Sequence, residues 1–329
     1  MVAFNLSALP STDLAIAADV ISGETNACRT IPRLPARGLG FDPVGYCCAL
    51  LPELPITTGP RSWQLSARPQ LVSRRLWDHS SRDFDVLEQQ WGTAGGYGVQ
   101  LAVLGPWSLA AEIELANGHR AVTDDGAVRD IAEIYSHRMA LTLNHLSTRF
   151  NAQPRIVITE PQVAALTAGN MPGTSDFDSI VAINEQKIGQ LLHQVVAQIR
   201  QTTSVEIYLA SGQKQPQQPP IDALKIAAAD GLVINLGAIT GSLMLDACGE
   251  ALAEGSRLCL GCVHLGDDLT TAPTIATTVL KLIQELGLER DILTCQIDIT
   301  ASQELYPGTL LAAAHALGCA TKVQELLLQ

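Results

Sequence analysis

Short apolar runs alternate with segments of helical period along almost the whole of this 329-residue chain. That alternation limits it to repeated β/α units built on a parallel sheet. The clearest runs are Val99–Leu104, Arg155–Glu160, Ser204–Leu209, Gly231–Leu236, Arg257–Val263 and Ile292–Ile297. Each is short and apolar throughout, as a strand covered on both faces must be. An opening strand within Ala3–Ala8 and a poorly marked second strand within Pro32–Phe41 bring the number to eight.

Between the runs, the helical stripes are plain. Ile131, Ile134, Tyr135, Met139, Leu143, Leu146 and Phe150 follow the N-capping group Thr123-Asp124-Asp125. Ile188, Leu191, Leu192, Val195, Val196 and Ile199 form a second stripe, and Ile275, Val279, Leu282, Ile283 and Leu286 a third, stopped near Gly287. The expected fold is α/β: a single (β/α)8 TIM barrel over residues 1–329, with an N-terminal excursion around the first two strands.

Thirty-three acidic residues against 21 basic give a net charge of −12, which argues against a general nucleic-acid or anionic-membrane binder. The N-terminus has no basic flank or h-region, and no apolar run reaches the ~18 residues of a membrane span, so the expected location is cytoplasmic. In that reducing setting the eight scattered cysteines read as small buried hydrophobes rather than disulfide partners.

Known catalytic signatures are missing: there is no GxSxG elbow, no GxxxxGK[ST] loop, no HExxH, and no GxGxxG after a strand. Cys259-Leu260-Gly261-Cys262-Val263-His264 holds a CxxC, but on a strand its two thiols face opposite sides and share no metal. Arg61, Arg68, Arg74, Arg75 and Arg82, with Trp63 and Trp77, read either as a solvated helix surface or as a site for an anionic ligand. Ser211–Pro220 is a polar, proline-rich loop. In a barrel, residues just past the strand ends converge on one mouth. Those positions carry Gly105-Pro106-Trp107, Glu160-Pro161, Glu206 to Tyr208, Asn235, His264 and Asp298, a polar set suited to a small-molecule ligand.

Three segments, in order, carry a family resemblance: Ser7-Ala8-Leu9-Pro10-Ser11-Thr12-Asp13, Leu104-Gly105-Pro106-Trp107-Ser108-Leu109-Ala110 and Ile158-Thr159-Glu160-Pro161. Gly126–Asp130, Met171-Pro172-Gly173-Thr174 and Ala229-Asp230 extend it over nearly the whole chain. The sequence resembles the cobalamin-independent methionine synthase family, and more closely its single-barrel actinobacterial type, within the superfamily of uroporphyrinogen decarboxylase. The resemblance implies a zinc ion at the mouth, which binds homocysteine as a thiolate, and a folate methyl donor.

The zinc ligands that the resemblance implies are a His-x-Cys on the fifth strand, a Glu ending the sixth and a Cys after the eighth. The matching places read Glu206-Ile207-Tyr208, Asn235 and the neighbourhood of Gln296-Ile297-Asp298, with Cys295 close by. All the ligands are replaced, so no metal and no cofactor is expected. Ser7, Thr12, Trp107 and Glu160 remain to carry over, joined as candidate ligand-binding residues by Glu206, Tyr208, Asn235, His264 and Asp298.

The expectation is a barrel that binds a thiol amino acid, a folate or a polycarboxylate, as a binding protein or with altered activity, and that a homodimer would suit. One alternative is an active methyltransferase with a site rearranged around Cys295, Cys262, His264 and Glu206. The other is a decarboxylase-like barrel whose arginines meet a polycarboxylate.

Overall fold

The computed structural model describes residues 1–6, 8–173, 179–212, 219–301 and 305–329. Ser7, Thr174 and most of the polar loop at Ser211–Pro220 lie outside them. Eight parallel strands make one sheet: β1 (Ala3–Asn5), β2 (Cys28–Thr30), β3 (Gly98–Leu104), β4 (Pro154–Thr159), β5 (Glu206–Ala210), β6 (Gly231–Asn235), β7 (Arg257–Val263) and β8 (Ile297–Ala301). Each strand from β2 to β8 pairs with the next, and β8 pairs with β1. The chain is a (β/α)8 barrel.

Among the described residues β1 and β2 share no backbone ladder. Thr30 Oγ1 (2.8 Å) and Gln100 Nε2 (2.9 Å) both donate to the Asn5 carbonyl and help draw the seam together.

The helices are α1 (Leu14–Glu24), α2 (Pro43–Cys48), α3 (Leu71–Trp91), α4 (Pro106–Glu112), α5 (Asp125–Phe150), α6 (Val163–Ala168), α7 (Glu185–Thr202), α8 (Ile221–Ile226), α9 (Ser242–Ala253), α10 (Ala272–Glu285), α11 (Ile292–Gln296) and α12 (Leu310–Leu327). All three stripes read from the sequence fall on helices, α5, α7 and α10. The first turn of α5 is closed by Asp124 Oδ1, which accepts from the N–H groups of Gly126 and Ala127, a contribution of about 1 kcal/mol.

Alternation along the strands sorts two cores. Outward residues such as Leu101, Ile156, Ile158, Ile207 and Leu209 pack with the helices. Phe4, Leu6, Cys28, Val157, Tyr208, Ala210, Val233 and Cys259 form a separate cluster inside the ring. No helix among the described residues is long and apolar enough to cross a membrane.

Two strands differ from expectation. The second is Cys28–Thr30, upstream of Pro32–Phe41. It is three residues long with an arginine at its centre, so it makes no apolar run, whereas Pro35–Arg37 forms a 3-10 turn and Gly38 and Gly40 take positive φ. The eighth is Ile297–Ala301, because Ile292–Gln296 coils as α11. A short apolar run does not distinguish a helical turn from a strand.

The excursion occupies residues 31–97, between β2 and β3 rather than around β1. It comprises α2, an antiparallel pair (Ile56–Thr58 with Trp63–Leu65) and α3. A short strand after α4, Ile113–Glu114, pairs with Trp63–Gln64 and ties the excursion to the barrel.

Candidate functional site

Several residues placed at the mouth by the sequence are there but already occupied. Glu160 directly follows β4, is fully buried, and accepts hydrogen bonds from the backbone N–H groups of Trp107 (3.1 Å) and Ser108 (2.7 Å). Its carboxyl therefore caps the start of α4. Gly105 makes room for it, since a Cβ there would lie 2.3 Å from Glu160 Oε1. Burial pushes the Glu160 pKa up to about 7 against the pull of those hydrogen bonds.

Trp107 is buried on the helical side, where its indole donates to the Ile188 carbonyl of α7 (3.2 Å). Asn235 Oδ1 caps the turn after β6 through Gly237 N (3.1 Å). His264 is exposed, with its backbone N–H on Asp267 Oδ2 (2.8 Å). Thr12 is also exposed, and its carbonyl accepts from Arg37 Nε (2.9 Å).

Glu206, Tyr208 and Asp298 are not at the mouth. Glu206 opens β5 and Asp298 is the second residue of β8, so both stand at the N-terminal end of the barrel, with Tyr208 inside at mid-strand. They form one network. Asp298, completely buried, accepts from Tyr208 Oη (2.7 Å), from Arg257 Nη2 (2.8 Å) and Nε (3.1 Å), and from the Val2 backbone N–H (2.7 Å). Burial would raise its pKa, but the Arg257 hydrogen bond and the nearby guanidinium groups outweigh that and hold it below the usual carboxylate range. Arg155 donates to Glu206 (Nε, 2.8 Å) and lies 4.5 Å from the Tyr208 ring centre and 5.2 Å from that of Phe4. Two ion pairs and a stacked guanidinium plug the far end.

The open space lies elsewhere. A cavity of about 470 Å³ opens at the C-terminal strand ends of β1, β3 and β4, lined by Leu6, Ala102, Leu104 and Thr159 from the barrel. The excursion supplies Arg33, Asp42, Tyr46 and Trp63, and the loops after β3 and β4 supply Glu112, Pro161 and Gln162. Arg33, three residues past β2, makes no ion pair among the described residues. Its hydrogen bond is from Nη1 to the Phe41 carbonyl (3.3 Å), and burial lowers its pKa.

Asp42 Oδ1 accepts from Val44 N, Gly45 N and Trp63 Nε1. Glu112 accepts from Gln162 Nε2 and, among the described residues, pairs with no cation. Arg33, Asp42 and Tyr46 escaped the sequence reading because β2 was sought downstream of its real position, and Glu112 because it stands at the far end of α4 rather than just past a strand. With β2 at Cys28–Thr30, the rule that residues past a strand end face the mouth singles out Arg33.

The zinc site implied by the resemblance does not fit these residues. Its matching positions are divided between the two ends of the barrel, with Glu206 paired to Arg155, Tyr208 to Asp298, and Asn235 capping a turn. Strand β5 ends at Ala210, so Glu206, which opens it, and Tyr208 at its middle lie too deep to serve as mouth ligands. Among the described residues no group of three His, Cys, Asp or Glu side chains could hold a metal ion. Cys262 is buried and its thiol is pushed up to about 12, while Cys295 is exposed beside β8's starting end.

No family profile and no curated protein matches the chain. Among solved structures it is similar to a B12-independent methionine synthase from Shewanella sp. W3-18-1, at 10% identity and a TM-score of 0.49, over 81% of this chain and 70% of that one. It is similar to methylaspartate ammonia lyase from Clostridium tetanomorphum (10%, 0.47, over 100% and 59%). A GH113 β-mannanase from Alicyclobacillus acidocaldarius gives 10% and 0.45, over 99% and 96%. These are three different activities by name, and the site has to decide function.

Proposed function

We propose that this chain is a methionine synthase-like barrel that binds a small amino-acid-like zwitterion at its mouth without zinc. The observation that carries the reading is Arg33, a half-buried guanidinium in the mouth cavity that makes no ion pair among the described residues, with the Asp42 carboxylate near enough to act on its charge but not bonded to it. A desolvated cation bonded to no carboxylate is costly, and a ligand carboxylate would repay that cost through paired N–H···O bonds.

Asp42 and Glu112 line the same cavity and are available to an ammonium group, while Leu6, Val44 and Trp63 offer an apolar wall to a side chain. One cation facing two carboxylates disfavours a polycarboxylate and favours a ligand carrying both signs. The two motifs that suggested the family meet in space, because Glu160 caps the helix begun by Pro106 and Trp107 against Gly105. They support the barrel kinship as a folding device, not as catalytic groups.

Calorimetric titration with L-methionine, L-homocysteine and citrate tests the reading. Binding of an amino acid is expected, weakened at least tenfold in R33A and partly restored in R33K. Binding of citrate alone, or an R33A protein that binds as well as the parent, would overturn it. So would stoichiometric zinc in the purified protein together with thiol methylation from a methylfolate.

A further inference from the structure

A second concave surface lies outside the barrel, along the outer face of α3. Its volume is about 840 Å³, and it is lined on the helix by Leu71, Val72, Arg75, His79 and Arg82, opposite Leu39 and Phe41 of the excursion. Thr57 and Thr58, from the edge strand of the small sheet, close one side. The helix buries its other face through Ser73, Leu76, Phe84, Leu87 and Trp91, and on this stripe the ring of His79 meets Phe41 while Leu71 stays exposed.

Two features set the groove apart from an ordinary solvated helix surface. Leu39 and Leu71 are 66% and 65% exposed and flank it, an arrangement that costs free energy unless something covers them. Its charge is also reversed relative to the rest of the chain. Three arginines, Arg37, Arg75 and Arg82, line it against one aspartate, Asp83, in a protein of net charge −12. Arg37 is spent on Asp83 (2.8 Å), whereas Arg75 and Arg82 make no ion pair among the described residues.

We infer that this groove docks an acidic peptide segment of a partner protein, with apolar side chains over Leu39 and Leu71 and carboxylates on Arg75 and Arg82. Seven residues of helix separate the two arginines, a rise of about 10.5 Å on the same face. A peptide in the polyproline II conformation advances about 3.1 Å per residue with three residues per turn, so acids three positions apart lie on one face and match that spacing. Arginine suits such carboxylates because its fork donates two parallel hydrogen bonds.

The test is fluorescence anisotropy with a labelled twelve-residue peptide of four Glu-Leu-Ala repeats, its Gln-Leu-Ala counterpart, and, in a separate flotation assay, phosphatidylserine vesicles. The acidic peptide is expected to bind the intact protein, the glutamine version at least tenfold more weakly. R75E/R82E should lose at least tenfold, and L39A/L71A several-fold. The control K281E/R290E, which makes the same change of charge on exposed residues elsewhere, should leave binding unchanged. Equal loss in the control, equal binding of both peptides, or binding of vesicles without peptide would each overturn the proposal.

Discussion

Glu160 is caught between two opposing forces. Two backbone N–H groups at the start of α4 favour its anion, and complete burial favours its acid. Burial prevails, and the carboxyl's pKa rises from 4.5 to about 7. Because the folded value lies above the unfolded one, the fold binds this proton more tightly than the unfolded chain does. Its contribution is complete below about 4.5 and is lost as pH rises through about 7. Urea midpoints measured from pH 5 to 8 should fall for the parent protein, and Glu160→Gln should flatten that fall, by about 1–3 kcal/mol at the alkaline end. A parent whose stability rises over the same range would contradict this. The sequence placed Glu160 correctly just beyond a strand. It could not show that the carboxyl is consumed internally, because its partners are backbone groups of the neighbouring β/α unit.

At the scale of elements, the long amphipathic helices and the apolar strands β3 to β7 were legible, and β2 and β8 were not. The stripes of α5, α7 and α10 each repeat over several turns, so periodicity alone locates them. β2 offers three residues, and β8 follows the helical turn α11 without a break in apolar character, so neither carries a period to read. Misplacing β8 by five residues is what put Asp298 at the mouth instead of the base. There it joins the starts of strands β5, β7 and β8, and its nearness to Arg155 brings in β4. Replacing this buried carboxylate leaves Arg257 without its counter-charge, while Arg155 keeps Glu206. Asp298→Asn should therefore cost about 3–5 kcal/mol in denaturant unfolding. Tyr208→Phe, which removes one of several donors to Asp298, should cost much less.

For the molecule as a whole, the barrel was legible because eight similar units repeat one pattern, whereas the mouth is assembled by closure. Arg33 and Asp42 belong to the excursion and Glu112 to the end of α4, far along the chain from both, so no local motif announces that they share a cavity. Phe41 belongs to the same excursion and stands between the two surfaces proposed to bind ligands. Its carbonyl receives Arg33, and its ring lines the groove beneath Arg37 and against His79. A peptide that shifts this residue is expected to shift the guanidinium behind it, which would link the two sites thermodynamically. Linkage is reciprocal: saturating amino acid should change peptide affinity by the same several-fold factor by which saturating peptide changes amino-acid affinity. Titrating each in the presence of the other measures that factor, and equal affinities in its presence and absence would mean that Phe41 transmits nothing. If the factor is real, the barrel reports the occupancy of its mouth to whatever protein holds its flank.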